Sequence, residues 1–247
     1  MKAFNALLKS ELKLSLRGLD MFIFAICMPI IAVVILGAIF GNQPAFEGAN
    51  YSFLEQSFGA IATIAICAGG VMGLPLVISD YRSKKILKRF QVTPVRPSLI
   101  LLVQVIIYAL YSVTSLVLVY LTAYIFFGFE LQGSWIIFIG AYFMVMLSMF
   151  SMGLLVGGIA PNVKIAGAVA SLLYFPMLIF SGATLPYEVM PISLQRIANV
   201  MPLTQGIKLL KAAVLDLPIE SVFPSVILII FILIVCSAVA IRFFKWE

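Results

Sequence analysis

At 247 residues, with 63% hydrophobic, 11% charged and a mean hydropathy of +1.16, the chain is too apolar for a soluble domain, whose charged share is nearer about 25%. Its net charge of +6 fits loops facing an anionic membrane surface rather than a nucleic-acid groove, because no separate basic domain is present. The absence of histidine removes histidine triads, the commonest metal ligand and the usual proton shuttle at neutral pH, and Cys27, Cys67 and Cys236 stand singly in separate apolar runs, with neither a metal spacing nor a disulfide framework.

In chain order, Met1 to Asp20 sets Phe4, Leu7, Leu8 and Leu12 against Lys2, Lys9, Lys13 and Arg17 at helical spacing. This predicts an amphipathic helix lying in the interface. The uncharged run from Met21 to Phe46 exceeds the roughly 7–15 residues of a cleavable signal core and reads as a permanent span. A crossing needs about 20 apolar residues, and six runs qualify: Met21 to Phe46, Gln56 to Ser79, Pro97 to Phe129, Leu131 to Val163, Ile165 to Tyr187 and Ser221 to Ile241. The breaks around Glu130 and at Pro161-Asn162-Val163-Lys164 are rich in Gly, Pro and Asn and read as tight turns.

The long polar interruption is Asp80 to Arg96, which holds six of the sixteen Lys and Arg residues. Wound as a helix, Tyr81 to Gln91 places Ser83, Ile86, Leu87 and Phe90 on one face and spreads Arg82, Lys84, Lys85, Lys88 and Arg89 over the other. Thr93-Pro94 closes it. Such a helix either rests on anionic lipid or fits its apolar ridge into a groove on a cytoplasmic partner. Farther on, Pro186, Pro191, Pro202 and Pro218 divide Thr184 to Glu220 into two amphipathic pieces, about Ile192 to Val200 and Leu203 to Leu215. Each is too short to cross, which predicts a helical hairpin dipping into one leaflet, with a plain surface loop as the alternative.

With both termini inside, thirteen of the sixteen cations fall on the cytoplasmic side and only Arg196, Lys208 and Lys211 outside. The bias requires an even number of crossings, and Trp135 and Trp246 sit where interfacial aromatics belong. All ten acids are expected to lie outside the six spans, so no carboxylate is available at membrane depth to couple an ion gradient to transport. There is also no G-x-x-x-x-G-K-[ST] phosphate loop. Energy for any transport must therefore come from another subunit. Two G-x-x-x-G spacings, Gly69 to Gly73 and Gly153 to Gly157, allow close helix approach, within one chain or across a dimer seam. Pro29, Pro75 and Pro176 interrupt the first, second and fifth spans and predict kinks there.

Several of these residues resemble the type-2 ABC exporter permeases, the ABC-2 family. Arg82, Leu87, Arg89 and Thr93-Pro94-Val95 fit the family's cytoplasmic loop; Tyr81, Ser83 and Lys88 stand where it commonly carries acids, and Lys85-Ile86 replaces its Gly-Thr. Ser181-Gly182, Pro186, Met190-Pro191, Leu194 and Pro202-Leu203-Thr204 match its later succession, with Lys211 where an arginine is common. The resemblance covers essentially the whole chain, residues 1–247, as a single all-α membrane domain with six spans, an N-terminal interfacial helix, a coupling helix between spans two and three, and an outer re-entrant hairpin between spans five and six.

The resemblance implies a permease in a bacterial cell membrane. It would be coupled to an ABC nucleotide-binding ATPase through Arg82, Lys85, Ile86, Leu87, Lys88, Arg89, Phe90, Thr93 and Pro94. ATP and Mg would be bound by that ATPase and no cofactor by this chain, and the permease would pair with a second copy in contact with membrane lipids. It further implies a substrate route bordered by the three kinked spans, with Phe24, Met28, Pro29, Tyr174, Phe175, Met177 and Phe180 as lining candidates, and an outer gate at Ser181, Gly182, Pro186, Pro202 and Leu203. An aromatic and methionine-rich route suits an amphipathic or hydrophobic cargo such as a drug, peptide or lipid-like molecule. Alternatives are polysaccharide or glycolipid export, or a non-transporting immunity protein that binds a toxic peptide. A lipid-modifying enzyme is disfavoured because histidine and paired carboxylates are missing.

Overall fold

The computed structural model describes residues 2–41, 43–46, 48–86, 97–181 and 190–244. Among these the structure is helical apart from one isolated bridge between Pro44 and Ser52. Six helical stretches are long and apolar enough to cross a membrane: Ile23–Phe40, Phe53–Ser83, Ser98–Phe127, Trp135–Ile159, Val163–Phe180 and Phe223–Phe243. Each predicted run overlaps one of them; the second helix passes its run at both ends, the fifth begins two residues before its run and the sixth ends two residues after.

The second span is the axis of the bundle, with 83% of its most apolar window buried, whereas the sixth has 11%. The first, third, fourth and fifth spans all pack against the second. Its glycines and alanines allow this, because small residues let helix backbones approach closely where no hydrophobic drive separates protein from lipid. A Cβ on Gly153 of the fourth span would lie 1.8 Å from the Gly70 carbonyl oxygen, and one on Gly157 would lie 3.0 Å from Pro75 Cα. On another side, Gly69 and Gly73 receive the ring of Tyr108 from the third span. Both G-x-x-x-G spacings are therefore spent on packing within the chain.

Two of the three prolines act through widened turns. Ile23–Cys27 and Ala68–Gly73 are π-helical, and each ends two residues before a proline, Pro29 and Pro75. The Met28 N–H bonds to the Ile23 carbonyl and the Leu74 N–H to the Gly69 carbonyl. A proline lacks the N–H for the regular bond and its ring crowds the carbonyl four residues back; the extra residue in the turn relieves both. Around Pro176 the helix Val163–Phe180 continues.

The N-terminal helix, Lys2–Arg17, docks on the bundle. Phe4, Leu7, Leu8 and Leu12 pack on Ile26 of the first span and Val103, Ile107 and Tyr111 of the third, and Ser15 donates to the Tyr111 hydroxyl at 3.1 Å. At the opposite end of the bundle, Ile192–Val200 and Pro202–Val214 form the expected pair of helices. The second is buried along most of its length. A Cβ on Gly206 would lie 2.9 Å from Val145 Cγ1, well inside the fourth span, and one on Gly59 would lie 2.9 Å from Leu210 Cβ. This helix therefore packs against the second, fourth and sixth spans.

The far end of that helix is stapled to the connection between the third and fourth spans. The N–H groups of Gln132 and Gly133 both donate to the Val214 carbonyl at 3.1 Å. A side chain at Gly133 is excluded, since its Cβ would sit 2.2 Å from the Ala213 carbonyl oxygen. Ser52 and Glu55 form a capping box that starts the second span, and Gln132 Nε2 reaches Glu55 Oε1 at 3.3 Å. Nearby, Trp135 meets Tyr120 edge-on at 4.7 Å, an aromatic girdle of the kind found at membrane interfaces. Trp246 lies outside the described residues.

Candidate functional site

The polar interruption begins differently from the sequence expectation. Tyr81, Arg82 and Ser83 do not open a separate amphipathic helix; they complete the last turn of the second span, Leu74–Ser83. The chain then turns at Lys84 and Lys85, where Lys85 has φ +56°. Lys84 pairs with Asp80 at 2.7 Å across that final turn, an exposed contact that adds little. Leu87, Lys88, Arg89, Phe90, Thr93 and Pro94 lie outside the described residues.

The correction matters most for Arg82. Rather than standing on an exposed basic face, it is 7% exposed and turned into the bundle. One terminal nitrogen donates to the Ala160 carbonyl and the other to the carbonyls of Gly157 and Gly158, both at 2.9 Å. These belong to the end of the fourth span, Trp135–Ile159. The last carbonyls of a helix have no partner within it and carry the negative end of its dipole. Two consecutive glycines leave room for the guanidinium, and Pro161 ends the helix, so Arg82 serves as a C-terminal cap supplied from another span. The ring of Phe244, just past the sixth span, lies 5.7 Å from the guanidinium carbon. Arg82 is also an ionisable group buried at a span end, and Glu55 and Asp80 fall within the end turns of Phe53–Ser83, which corrects the expectation that all acids lie beyond the spans.

Tyr81, next in the same turn, makes the complementary tie. Its hydroxyl donates to Glu11 of the N-terminal helix. Gln104 of the third span donates to the same carboxylate oxygen at 2.8 Å and contacts the Tyr81 hydroxyl at 3.2 Å. Ile86 packs with Tyr81, Ile100 and Phe244 beneath this network, while Lys85 is exposed. One helical turn therefore joins the N-terminal helix, the third and fourth spans and the segment after the sixth. Charged acceptors make such bonds worth about 1.5–3 kcal/mol each.

The lining candidates divide. Phe24, Met28 and Phe175 are exposed, 53%, 47% and 52%, and Phe180 is half-buried. Pro29, Tyr174 and Met177 are buried, the last two inside the main core. The first and fifth spans bear mainly on different stretches of the second, and each leaves an apolar stripe uncovered, Ile165, Val169, Leu172, Phe175 and Ile179 on the fifth. Of the gate candidates, Ser181 is buried and donates to the Leu178 carbonyl, Leu203 is fully buried and Pro202 half-buried; Gly182 and Pro186 lie outside the described residues. Sequence reasoning did not find Glu11 and Gln104, or the carbonyls of residues 157–160. Their only signal was the Gly-Gly-x-x-Pro ending of the fourth span, a helix terminus without a local cap.

Residues 2–215 match the family model described as ABC-2 type transporter. Nodulation protein J of Rhizobium leguminosarum bv. viciae is 34% identical over 76 residues, and Nodulation protein J of Neorhizobium galegae 33% identical over 76 residues. Each match covers 31% of this chain and 29% of the relative, so the chain spans under a third of the length of the curated relatives it matches.

Proposed function

Because the chain belongs to the ABC-2 type transporter family, we propose that this multi-pass membrane subunit is the permease of an ATP-driven exporter. A separate nucleotide-binding subunit supplies the force, and the cargo is amphipathic or hydrophobic. The observation that carries this reading is the joining of four elements by Tyr81 and Arg82 directly ahead of the 87–96 segment. A push on that segment displaces the end of the second span. Tyr81 then takes the N-terminal helix with it, and Arg82 takes the fourth span.

The second span is the element on which the others rest, so its displacement is felt by the first and fifth spans through the π turn at Ala68–Gly73. Their uncovered faces, with Phe24, Met28 and Phe175, close the route against a second copy of the chain. Both termini and the basic elbow face the cytoplasm in this reading, which the bias of cations toward that side supports. The re-entrant hairpin, held by Gly133 and Gln132 at Val214, is the outer gate. Apolar and aromatic walls suit a cargo held by dispersion rather than by ion pairs.

The test is accumulation of a lipophilic fluorescent dye in inverted membrane vesicles that carry the chain together with its ATPase. Uptake is expected only with both subunits and ATP. Uptake by the chain alone, or uptake insensitive to ATP removal, would contradict the reading.

A further inference from the structure

A cavity of about 250 Å³ opens at the end of the bundle opposite the termini, where the fourth span begins, the second hairpin helix ends and the sixth span begins. Ile137, Leu209, Ala212 and Val222 make its apolar walls, and Ser134 and Asp216 are its polar members. The exposed face of Ile137 and the neighbouring Phe223 place its mouth toward lipid, at the depth where Trp135 and Tyr120 form their edge-on pair.

Asp216 is an unfavourable choice for the fold. The Leu217 N–H bonds to the Ala212 carbonyl at 2.9 Å, so the helix ends in a motif whose terminal residue takes left-handed backbone angles, here Asp216 with φ +51°. Glycine or asparagine is the common choice there. A carboxylate beside the negative end of a helix dipole adds electrostatic repulsion. Two local costs thus fall on one residue, and that residue faces an apolar cavity at the membrane surface.

We propose that this cavity holds an ammonium-bearing phospholipid, a phosphatidylethanolamine, with its amine on Asp216 and Ser134 and the start of an acyl chain along Ile137, Leu209 and Val222. The volume lies just below the range usual for drug-sized ligands, room for a headgroup and the start of a chain but not for a bulky transported molecule. The primary amine donates hydrogen bonds that a choline headgroup lacks, and an anionic headgroup would be repelled. The proposal stands independently of the transport reading.

Trp135 is adjacent to Ser134 and gives a direct readout. With Trp246→Phe it is the single tryptophan, since the chain has 2. Its quenching is measured in phosphatidylcholine vesicles doped with phosphatidylethanolamine, phosphatidylglycerol or phosphatidylcholine brominated near the headgroup. The ethanolamine lipid should quench about twofold to fivefold more steeply, the range of a part-exposed ion pair. Asp216→Asn, which keeps the side-chain shape and tolerates the backbone angle, should abolish that preference while melting no lower than the parent. Ala212→Leu, which fills the cavity, should remove the extra quenching by the ethanolamine lipid and leave quenching by the other two as in the parent. Equal quenching by the three lipids, a preference that survives Asp216→Asn, quenching unchanged by Ala212→Leu, or a large loss of stability in Asp216→Asn would each overturn the proposal.

Discussion

The guanidinium of Arg82 reaches the main-chain carbonyl of Gly157 at 2.9 Å, so the last turn of the second span caps the last turn of the fourth. Removing the cap leaves three carbonyls at a buried helix end without a donor. Arg82→Ala should cost about 1.5–3 kcal/mol or more, seen as a lower unfolding temperature in detergent. Arg82→Lys should recover only part of it, because an ammonium cannot span the fork of acceptors. Equal stability of all three would contradict the assignment.

Tyr81 and Glu11 are seventy residues apart in sequence and joined by a hydrogen bond. Tyr81→Phe and Glu11→Gln should each destabilise, and a double-mutant cycle should give a coupling of about 0.5–3 kcal/mol. Additive effects would show that the Tyr81–Glu11 bond does not help to hold the N-terminal helix.

Gly153 and Gly140 lie on the same helix and make opposite demands. A Cβ on Gly153 would meet the Gly70 carbonyl at 1.8 Å, whereas one on Gly140 meets nothing within 4 Å. Gly153→Ala should abolish or strongly reduce folded protein in membranes, while Gly140→Ala should change stability by no more than about 0.5 kcal/mol. Fluorescence-detected size exclusion of the two variants is sufficient. A well-folded Gly153→Ala would mean that the second and fourth spans are not in contact there.

Sidedness is read by cysteine labelling in a background with Cys27, Cys67 and Cys236 replaced. Lys85 and Leu217 are both exposed and lie at opposite ends. In intact cells an impermeant maleimide should modify Leu217→Cys and spare Lys85→Cys. The reverse pattern would invert the proposed orientation.

The spans and the two hairpin helices were legible because both depend on local signals, the length of uncharged runs and the position of prolines. The docking residues of the N-terminal helix, Phe4, Leu7, Leu8 and Leu12, were legible for the same reason. The elbow was not. Polar residues from Asp80 onward read as the end of the membrane, yet the helix continues to Ser83 because Arg82 and Tyr81 find partners on segments more than sixty residues away. Periodicity assigns a charged residue to an outer face; it cannot see acceptors brought in by tertiary packing. The G-x-x-x-G spacings were visible but not their partners, which Gly70 and Tyr108 supply within the chain. Of the lining candidates, Tyr174 and Met177 fit the apolar pattern equally well as core, which is where they lie.

The most direct test of force passing through the elbow is the ratio of cargo moved to ATP hydrolysed by the permease purified with its ATPase, compared with the Arg82→Ala complex in the same vesicles. The account predicts that Arg82→Ala keeps ATP hydrolysis while transport per ATP falls at least about tenfold, a coupling loss near 1.4 kcal/mol. An unchanged ratio in a properly assembled Arg82→Ala complex would contradict it.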